Sequence, residues 1–258
     1  MAEKIAVITG ASSGLGMRLA QLAADDGYGL ILCADEEAIH DVADQMRAGG
    51  ADVEAMVTDL STRSGVEAFW QAIGDRPVHL FCANAGRALG QAFADQDWSD
   101  IKRLIDLNIV QTTTMLHRMG RRMRDAGQGR ILVTGSIGGY VAGPYDAVYN
   151  ATKAYLNSLS YALQDEWRDN GVTLTCLMPG PTETPIFHRD GNDLDDTPIA
   201  EREKDDPDEV AERGYKAVMA GERGAIPGLH NRLITMLSGI VPDAISARIH
   251  RAGAEPKG

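Results

Sequence analysis

Short apolar runs recur along the chain, each followed by a stretch whose apolar positions return every three or four residues. The first run, Lys4–Thr9, ends at a glycine turn and leads into an amphipathic pattern over residues 15–26. A period of two, or an unbroken apolar run, marks a strand, whereas a period near 3.6 marks a helix. The unit repeats at residues 29–34, followed by Ile39, Val42 and Met46 at helical spacing and a stop at Gly49 and Gly50. Val53–Val57 with a helix over 66–73 gives a third unit, and residues 78–83 a fourth strand ending at Asn84, Ala85 and Gly86. A long helical pattern over 98–124 is broken by Gly127 and Gly129 before a strand at Ile131. A helix beginning near Val148 and ending near Gly171 follows, then an apolar run over 172–178 closed by Pro179 and Gly180.

Strands rich in Val, Ile and Leu that alternate with amphipathic helices require right-handed crossovers and a parallel sheet covered on both faces. The expected fold is therefore α/β, a doubly wound parallel sheet of about seven strands, in a single domain spanning 1–258. In such sheets ligands bind beyond the carboxyl ends of the strands. Gly10, Asn84, Ser136 and Pro179 all fall there.

The pattern breaks over 182–208 into a polar, acidic loop too long for a simple connector, with Thr184 to His188 nearest the sheet edge. A helix over 208–220 and a short strand over 224–226 follow. The tail at 229–251 carries Leu233, Ile234, Leu237, Ile240, Ile245 and Ile249 among basic residues, interrupted by Gly239 and Pro242. It reads as a helical segment packed on the body or on a second subunit.

Composition narrows the class. A hydrophobic fraction of 44% and a charged fraction of 24% in 258 residues are those of an ordinary globular protein. Met1 leads almost at once into the first strand, with no signal-like segment and no apolar run near the ~20 residues needed to span a bilayer, so a cytoplasmic location is expected. Cys33, Cys82 and Cys176 each sit inside separate apolar runs and read as small buried hydrophobes, and the histidines share no metal-ligand spacing. A net charge of -12 argues against nucleic acid and anionic membranes as partners and leaves small-molecule chemistry.

That chemistry centres on Tyr149 and Lys153, four apart on a predicted helix and thus on one face. A positive charge beside a phenol favours the phenolate, since a free tyrosine titrates near ~10 and a base working at neutrality needs help. Ser136, upstream at a strand end, reaches the same place if the intervening loop folds back. The three together fit proton transfer to or from an alcohol. Separately, Thr9, Gly10, Ser12, Ser13, Gly14, Leu15 and Gly16 follow the first strand and open the first helix. Glycines there let the backbone approach a pyrophosphate held at a helix N-terminus.

Taken together, these residues resemble the short-chain dehydrogenase/reductase family, in its single-domain branch, from Ile5 to about Phe187. The glycine turn is similar to its T-G-x-x-x-G-x-G, Asn84-Ala85-Gly86 to its N-A-G, and Asn108, Ser136, Tyr149 and Lys153 to its catalytic tetrad. The resemblance implies a Rossmann-type fold and further nucleotide contacts at Asp59, Leu60, Pro179, Gly180, Thr182 and Thr184. It also implies Tyr149 as general acid or base, Lys153 lowering its pKa and holding the nicotinamide ribose, Ser136 orienting the substrate oxygen, and Asn108 holding a water beside Lys153. Gly135 and Ala83 depart from common family residues without removing a reacting group.

The implied reaction is NAD(P)-dependent hydride transfer with a secondary alcohol or ketone, in a homodimer or homotetramer. Asp35, after the second strand, favours NAD over NADP because a carboxylate there accepts from a ribose hydroxyl and repels a 2′-phosphate, and no basic residue stands at Ser13. Asp35 falls one place later than the usual aspartate, so a role as a helix cap stays open. Leu89, Phe93, Tyr140, Val141, Tyr145 and Phe187 are candidates for a partly apolar substrate pocket. The competing reading is a dinucleotide-binding sensor or scaffold without catalysis; a cofactor-free lyase conflicts with Lys153 and the glycine turn.

Overall fold

The computed structural model describes residues 3–187, 197, 204–238 and 241–255. Seven parallel strands form one sheet in the order β3-β2-β1-β4-β5-β6-β7. They are β1 (Lys4–Thr9), β2 (Tyr28–Ala34), β3 (Val53–Val57), β4 (Leu80–Ala83), β5 (Gly129–Thr134), β6 (Val172–Leu177) and β7 (Gly224–Ala225). Helices α1 (Gly14–Asp25), α2 (Ala38–Ala48), α3 (Arg63–Ile73), α4 (Trp98–Ile105), α5 (Thr112–Ala126), α6 (Ala147–Trp167) and α7 (Pro207–Ala220) make the crossovers.

Alternate residues of each strand feed two separate cores. Ala6, Ile8, Leu30 and Leu32 pack with Leu19, Ile39, Val42 and Val210 of α1, α2 and α7 on one face. Val7, Ile31, Phe81 and Val133 pack with Phe69, Met115, Met119 and Leu156 of α3, α5 and α6 on the other. This period of two, apolar in both directions, is why the strands read as continuous hydrophobic runs. Each fully buried aliphatic or aromatic side chain contributes about 1.5–3 kcal/mol relative to exposure.

From β1 the chain winds outward through β2 and β3, then returns to β4 and winds the other way. Neighbouring crossovers therefore diverge between β1 and β4 and leave a crevice outside their carboxyl ends. This fixes where the site is.

The boundaries differ from the sequence pattern at a few places. The helix expected over 98–124 is α4 and α5 joined by a π-helical turn, Asp106–Gln111, which contains Asn108. The third helix starts at Arg63 rather than 66, because Thr62 caps it by accepting from Gly65 N at 3.0 Å. Strand β4 is shorter than expected, beginning at Leu80. His79 still pairs with β1, its N–H donating to the Ile5 carbonyl at 2.9 Å and its Nδ1 accepting from Ile5 N at 3.2 Å. The tail is two helices, α8 (Leu229–Ser238) and α9 (Asp243–Ala254). Most of the acidic loop, at 188–196 and 198–203, with His188, lies outside the described residues. Among the described residues no helix is long and apolar enough to cross a membrane, and no His, Cys, Asp and Glu cluster could hold a metal.

Candidate active site

The ends of β1, β4 and β5 are tied by one side chain. Asn84 Nδ2 donates to the carbonyls of Thr9 and Gly10 at 3.2 and 3.1 Å, while Thr134 Oγ1 donates to Asn84 Oδ1 at 3.1 Å. Thr9 Oγ1 accepts in turn from the main-chain N–H groups of Asn84 and Ala85 at 3.1 and 3.0 Å. The first turn is thereby locked to the end of β4.

That turn demands glycine. Gly10 has φ +65°, and a Cβ there would stand 2.8 Å from Ala85 Cα; a Cβ at Gly16 would overlap the Gly10 carbonyl. Ser13 holds the N-cap of α1 without making a capping bond, and the first turn carries no acidic residue. The N-terminal N–H groups of α1 and its positive dipole end thus face the cleft, as an anion such as a pyrophosphate requires. A backbone cradle that side chains would fill, plus an uncapped helix start, fits a dinucleotide.

At the far edge, Arg103 of α4 reaches Asp35 Oδ2 at 3.4 Å and Asp59 Oδ2 at 3.3 Å. Burial pushes the Asp59 carboxyl up, but bonds from Ser61 and Arg103 outweigh it and hold its pKa below the usual range. Asp35 is not a helix cap: Glu37 holds the N-cap of α2, and Ser12 Oγ donates to Glu36 at 3.3 Å.

The middle of the cleft carries the reacting groups. After β5 the chain folds back through a single 3-10 turn, Ile137–Tyr140, with Ser136 Oγ accepting from Gly138 N at 3.0 Å. This brings Ser136 to Tyr149, which stands in the first turn of α6. Burial and the nearby Asp146 push the Tyr149 phenol up to about 12, and a hydrogen bond with Ser136 pulls against them. Lys153, only 4% exposed, donates from Nζ to the Thr134 carbonyl at 2.8 Å and sits 5.6 Å from the Tyr149 ring centroid. Burial lowers its own pKa to about 8. In this arrangement burial is the largest influence on the phenol, while the Lys153 ammonium is turned to a strand carbonyl.

Asn108 is 1% exposed, its Oδ1 accepting from Arg87 N and its Nδ2 donating to the Arg87 carbonyl and Thr152 Oγ1, each at 3.0 Å. The π turn presents it toward Gly86, whose Cβ position would lie 3.2 Å from Asn108 Oδ1 and 3.7 Å from Lys153 Nζ. A family model for short chain dehydrogenases matches residues 4–195. The chain belongs to the short-chain dehydrogenase family.

Solved relatives agree with this. A short-chain dehydrogenase from Sphingobium yanoikuyae in complex with NADPH is 29% identical and superposes with a TM-score of 0.82, covering 92% of this chain and 94% of that one. A short-chain dehydrogenase/reductase from Burkholderia phymatum in complex with NAD is 25% identical at a TM-score of 0.80, covering 91% and 92%. An uncharacterized oxidoreductase of Staphylococcus epidermidis is 28% identical over 213 residues, 81% of this chain and 88% of the relative. The family makes this chain an NAD(P)-dependent dehydrogenase/reductase acting on small molecules.

One cavity of about 700 Å³ gathers most of the sequence-predicted site. Its wall includes Gly10, Ser13, Gly14, Leu15, Asp35, Asp59, Leu60, Asn84, Ala85, Gly86, Ser136, Tyr149, Lys153, Pro179, Gly180, Thr182 and Thr184. Thr9, Ser12, Gly16 and Asn108 stand behind that wall and shape it. Thr184 closes the cleft from above: its Cγ2 lies 3.1 Å from where a Gly14 Cβ would be.

The substrate end departs further from the sequence reading. Of the proposed pocket residues only Val141 is on the wall. Leu89 is packed under Tyr149 with Ile101 and Leu104, Phe93 is 59% exposed, Tyr140 donates to Met178 Sδ at 3.2 Å, and Tyr145 bonds Glu255 at 2.5 Å. Phe187 ends the short turn Pro185–Phe187, whose Ile186 takes the wall position. The wall comes instead from the tail, through Leu229, Ile234, Leu237, Val241 and Ile249. Asn231 anchors it by donating to Asp205 Oδ2 and to the Pro227 carbonyl, both at 2.8 Å. Local spacing carries no trace of that long-range placement; the one signal was apolar residues at helical intervals in the tail.

Proposed function

We propose that this protein is an NAD-preferring oxidoreductase that interconverts a secondary alcohol and a ketone, with Tyr149 as the proton donor and acceptor. The observation that carries this reading is the meeting of Ser136, Tyr149 and Lys153 on one wall of a cleft whose other end is the glycine turn. When bound, the nicotinamide dinucleotide supplies the hydride. Gly10, Ser13, Gly14 and Leu15 would hold its pyrophosphate, Asp59 and Leu60 its adenine, and Pro179, Gly180 and Thr184 its nicotinamide side. Lys153 would bind the ribose, exchanging its bond to Thr134 for sugar hydroxyls.

The chain's own groups divide the proton work. A phenol pushed up to about 12 is protonated at neutral pH, so Tyr149 stands ready to donate to a carbonyl oxygen. Ser136 fixes that oxygen beside it and supports the phenolate left behind. Lys153, with a pKa near 8, adds positive charge when it is protonated and lowers the cost of that phenolate. Asn108 positions the π turn against Arg87 and Thr152 and thereby the floor beneath Lys153. For the nucleotide, Asp35 and the absence of a basic residue at Ser13 support NAD. The apolar tail wall supports a substrate with hydrocarbon on at least one side of the carbinol.

The test is Tyr149→Phe, compared with the wild type in NADH and NADPH titrations and in turnover of a ketone panel. The expected result is nucleotide affinity within about twofold of wild type and turnover reduced at least about 100-fold, the low end of general acid catalysis. Undiminished turnover would remove Tyr149 from the mechanism. Wild-type protein that binds NADH but turns over no ketone or alcohol would favour the sensor reading.

A further inference from the structure

Ser136 stands just beyond the sheet. Pairing of β5 with β4 ends at Val133 and with β6 at Thr134, so the main-chain groups of Ser136 need partners from elsewhere. Its backbone is extended, φ -168° and ψ 154°, which turns its N–H and its carbonyl to the same side. A single side chain meets both. Asn157 Nδ2 donates to the Ser136 carbonyl at 2.9 Å, and Asn157 Oδ1 accepts from Ser136 N at 3.4 Å. The carboxamide thus takes the place that a neighbouring strand would hold.

Asn157 is 3% exposed and follows Tyr149 and Lys153 along one stripe of α6. Lys153 reaches the Thr134 carbonyl and Asn157 reaches Ser136, so the helix grips the exit of β5 at two points. The loop is cut to fit the amide. A Cβ at Gly135 would stand 2.2 Å from Asn157 Oδ1, and one at Gly139 would stand 2.6 Å from Asn157 Nδ2. Cys176 Sγ adds a weak donation to the same Oδ1 at 3.6 Å. An amide turned over would set its NH2 against the Ser136 N–H and its oxygen against the carbonyl, so only one orientation is paired.

The serine so held carries the hydroxyl that bonds Tyr149. In the function proposed above, Lys153 leaves Thr134 for the nicotinamide ribose, and Asn157 then remains as the side chain of α6 bonded to the Ser136 main chain. We propose that Asn157 is a positioning residue for the reaction, fixing the Ser136 hydroxyl beside the Tyr149 phenol by holding both main-chain groups of the serine. This rests on the oxidoreductase reading above, in which Ser136 orients the substrate oxygen. Asn157 does not belong to the wall of the cleft, so its loss acts on turnover and not on nucleotide affinity.

The experiment measures NADH and NADPH affinity by fluorescence titration and the single-turnover rate of ketone reduction. It compares wild type, Asn157→Ala, Gly135→Ala, Ser136→Ala, and the two doubles that join Ser136→Ala to each of the others. Gly135→Ala displaces the amide from outside and leaves residue 157 intact. Asn157→Ala is expected to keep nucleotide affinity within about threefold and to slow reduction at least about tenfold, since a misplacement near 1 Å can cost about 100-fold. Gly135→Ala should slow it in the same direction. On the Ser136→Ala background either change should add less than about twofold, because a residue that acts through another loses its effect when that other is gone. A rate loss of the same factor with and without the serine hydroxyl marks a general structural role and would overturn the proposal. So would a rate in Asn157→Ala within about threefold of wild type, or a nucleotide affinity that falls as far as the rate. Loss of the folded circular dichroism spectrum in both single variants would assign Asn157 to folding and overturn it as well. Wild type that reduces no ketone with either nucleotide would instead overturn the oxidoreductase reading, and the proposal with it.

Discussion

The two ends of the cleft are made of different materials. At the glycine turn the wall is main chain, drawn tight by Asn84 and Thr9, and the polar side chains there are bonded to one another. At α6 the wall is side chain, with Asp146 unmet, Lys153 turned to a strand carbonyl and Tyr149 held as a phenol. Backbone cradles suit a ligand whose shape never varies. Buried titratable groups, costly in themselves, suit the place where charge must move or a particular substrate must be chosen.

The sharpest way to break the first half of that comparison is Gly16→Ala. The added methyl would overlap the Gly10 carbonyl and stand 2.5 Å from Asn84 Nδ2, both inside the locked turn. Overpacking ordinarily costs 1–3 kcal/mol, and a backbone obstacle places this at about 3 kcal/mol or more. NADH affinity should fall at least 100-fold, and the melting temperature should drop, as calorimetry and fluorescence titration would show. A variant with unaltered affinity would mean that the turn is not the pyrophosphate cradle.

These two ends also differ in how far the amino-acid sequence alone reveals them. Glycine at 10, 14 and 16, and Asn84, can be read because each answers a local requirement of the chain at a strand end. The strand alternation can be read for the same reason, since both sheet faces are covered. Tyr149 and Lys153 are legible by their spacing, but the burial that shifts both groups is not, because it comes from elements distant in the chain. Asp146 escapes notice because an acidic residue before a helix looks like a cap, and only its missing capping bond says otherwise. The tail wall escapes because Leu229 and Ile249 meet the cleft through folding over long range. The π turn escapes because one extra residue in a helix leaves the hydrophobic period almost unchanged.

The second half of the comparison is tested by pH. Burial raises the Asp146 carboxyl from 3.8 to about 7 in the folded protein. The folded state then holds its proton more tightly than the unfolded chain, so stability is full below about pH 4 and is lost as pH rises toward 7. At 1.36 kcal/mol per tenfold change in proton affinity, the loss is on the order of 4 kcal/mol at most. Asp146→Asn carries no such charge. It should be more stable than wild type at pH 8 by up to that amount, with the difference shrinking to nothing near pH 4. Urea denaturation at pH 5, 6, 7 and 8 would show the curves converging toward acid. Parallel curves would mean that the carboxylate already has a partner in solution, and the contrast between the two ends would lose its clearest member.

The smallest expected effect lies at the nucleotide end, at Arg103. Its side chain is 44% exposed and shared between Asp35 and Asp59 at 3.4 and 3.3 Å. Exposed ion pairs of this kind contribute about 0–1 kcal/mol, so Arg103→Ala should leave the melting temperature nearly unchanged. Its effect should appear in selectivity instead. With the guanidinium gone, the Asp35 carboxylate meets a ribose edge undiluted, accepting from a 2′-hydroxyl and repelling a 2′-phosphate more strongly. The ratio of NADPH to NADH dissociation constants is expected to rise several-fold, equivalent to about 1 kcal/mol, with NADH affinity itself changed less than the NADPH value. Titrating both nucleotides at low and moderate salt would check it, because the repulsion should weaken as screening increases. A ratio that stays constant or falls would take Asp35 out of nucleotide choice and leave the glycine turn as the whole of the recognition at that end.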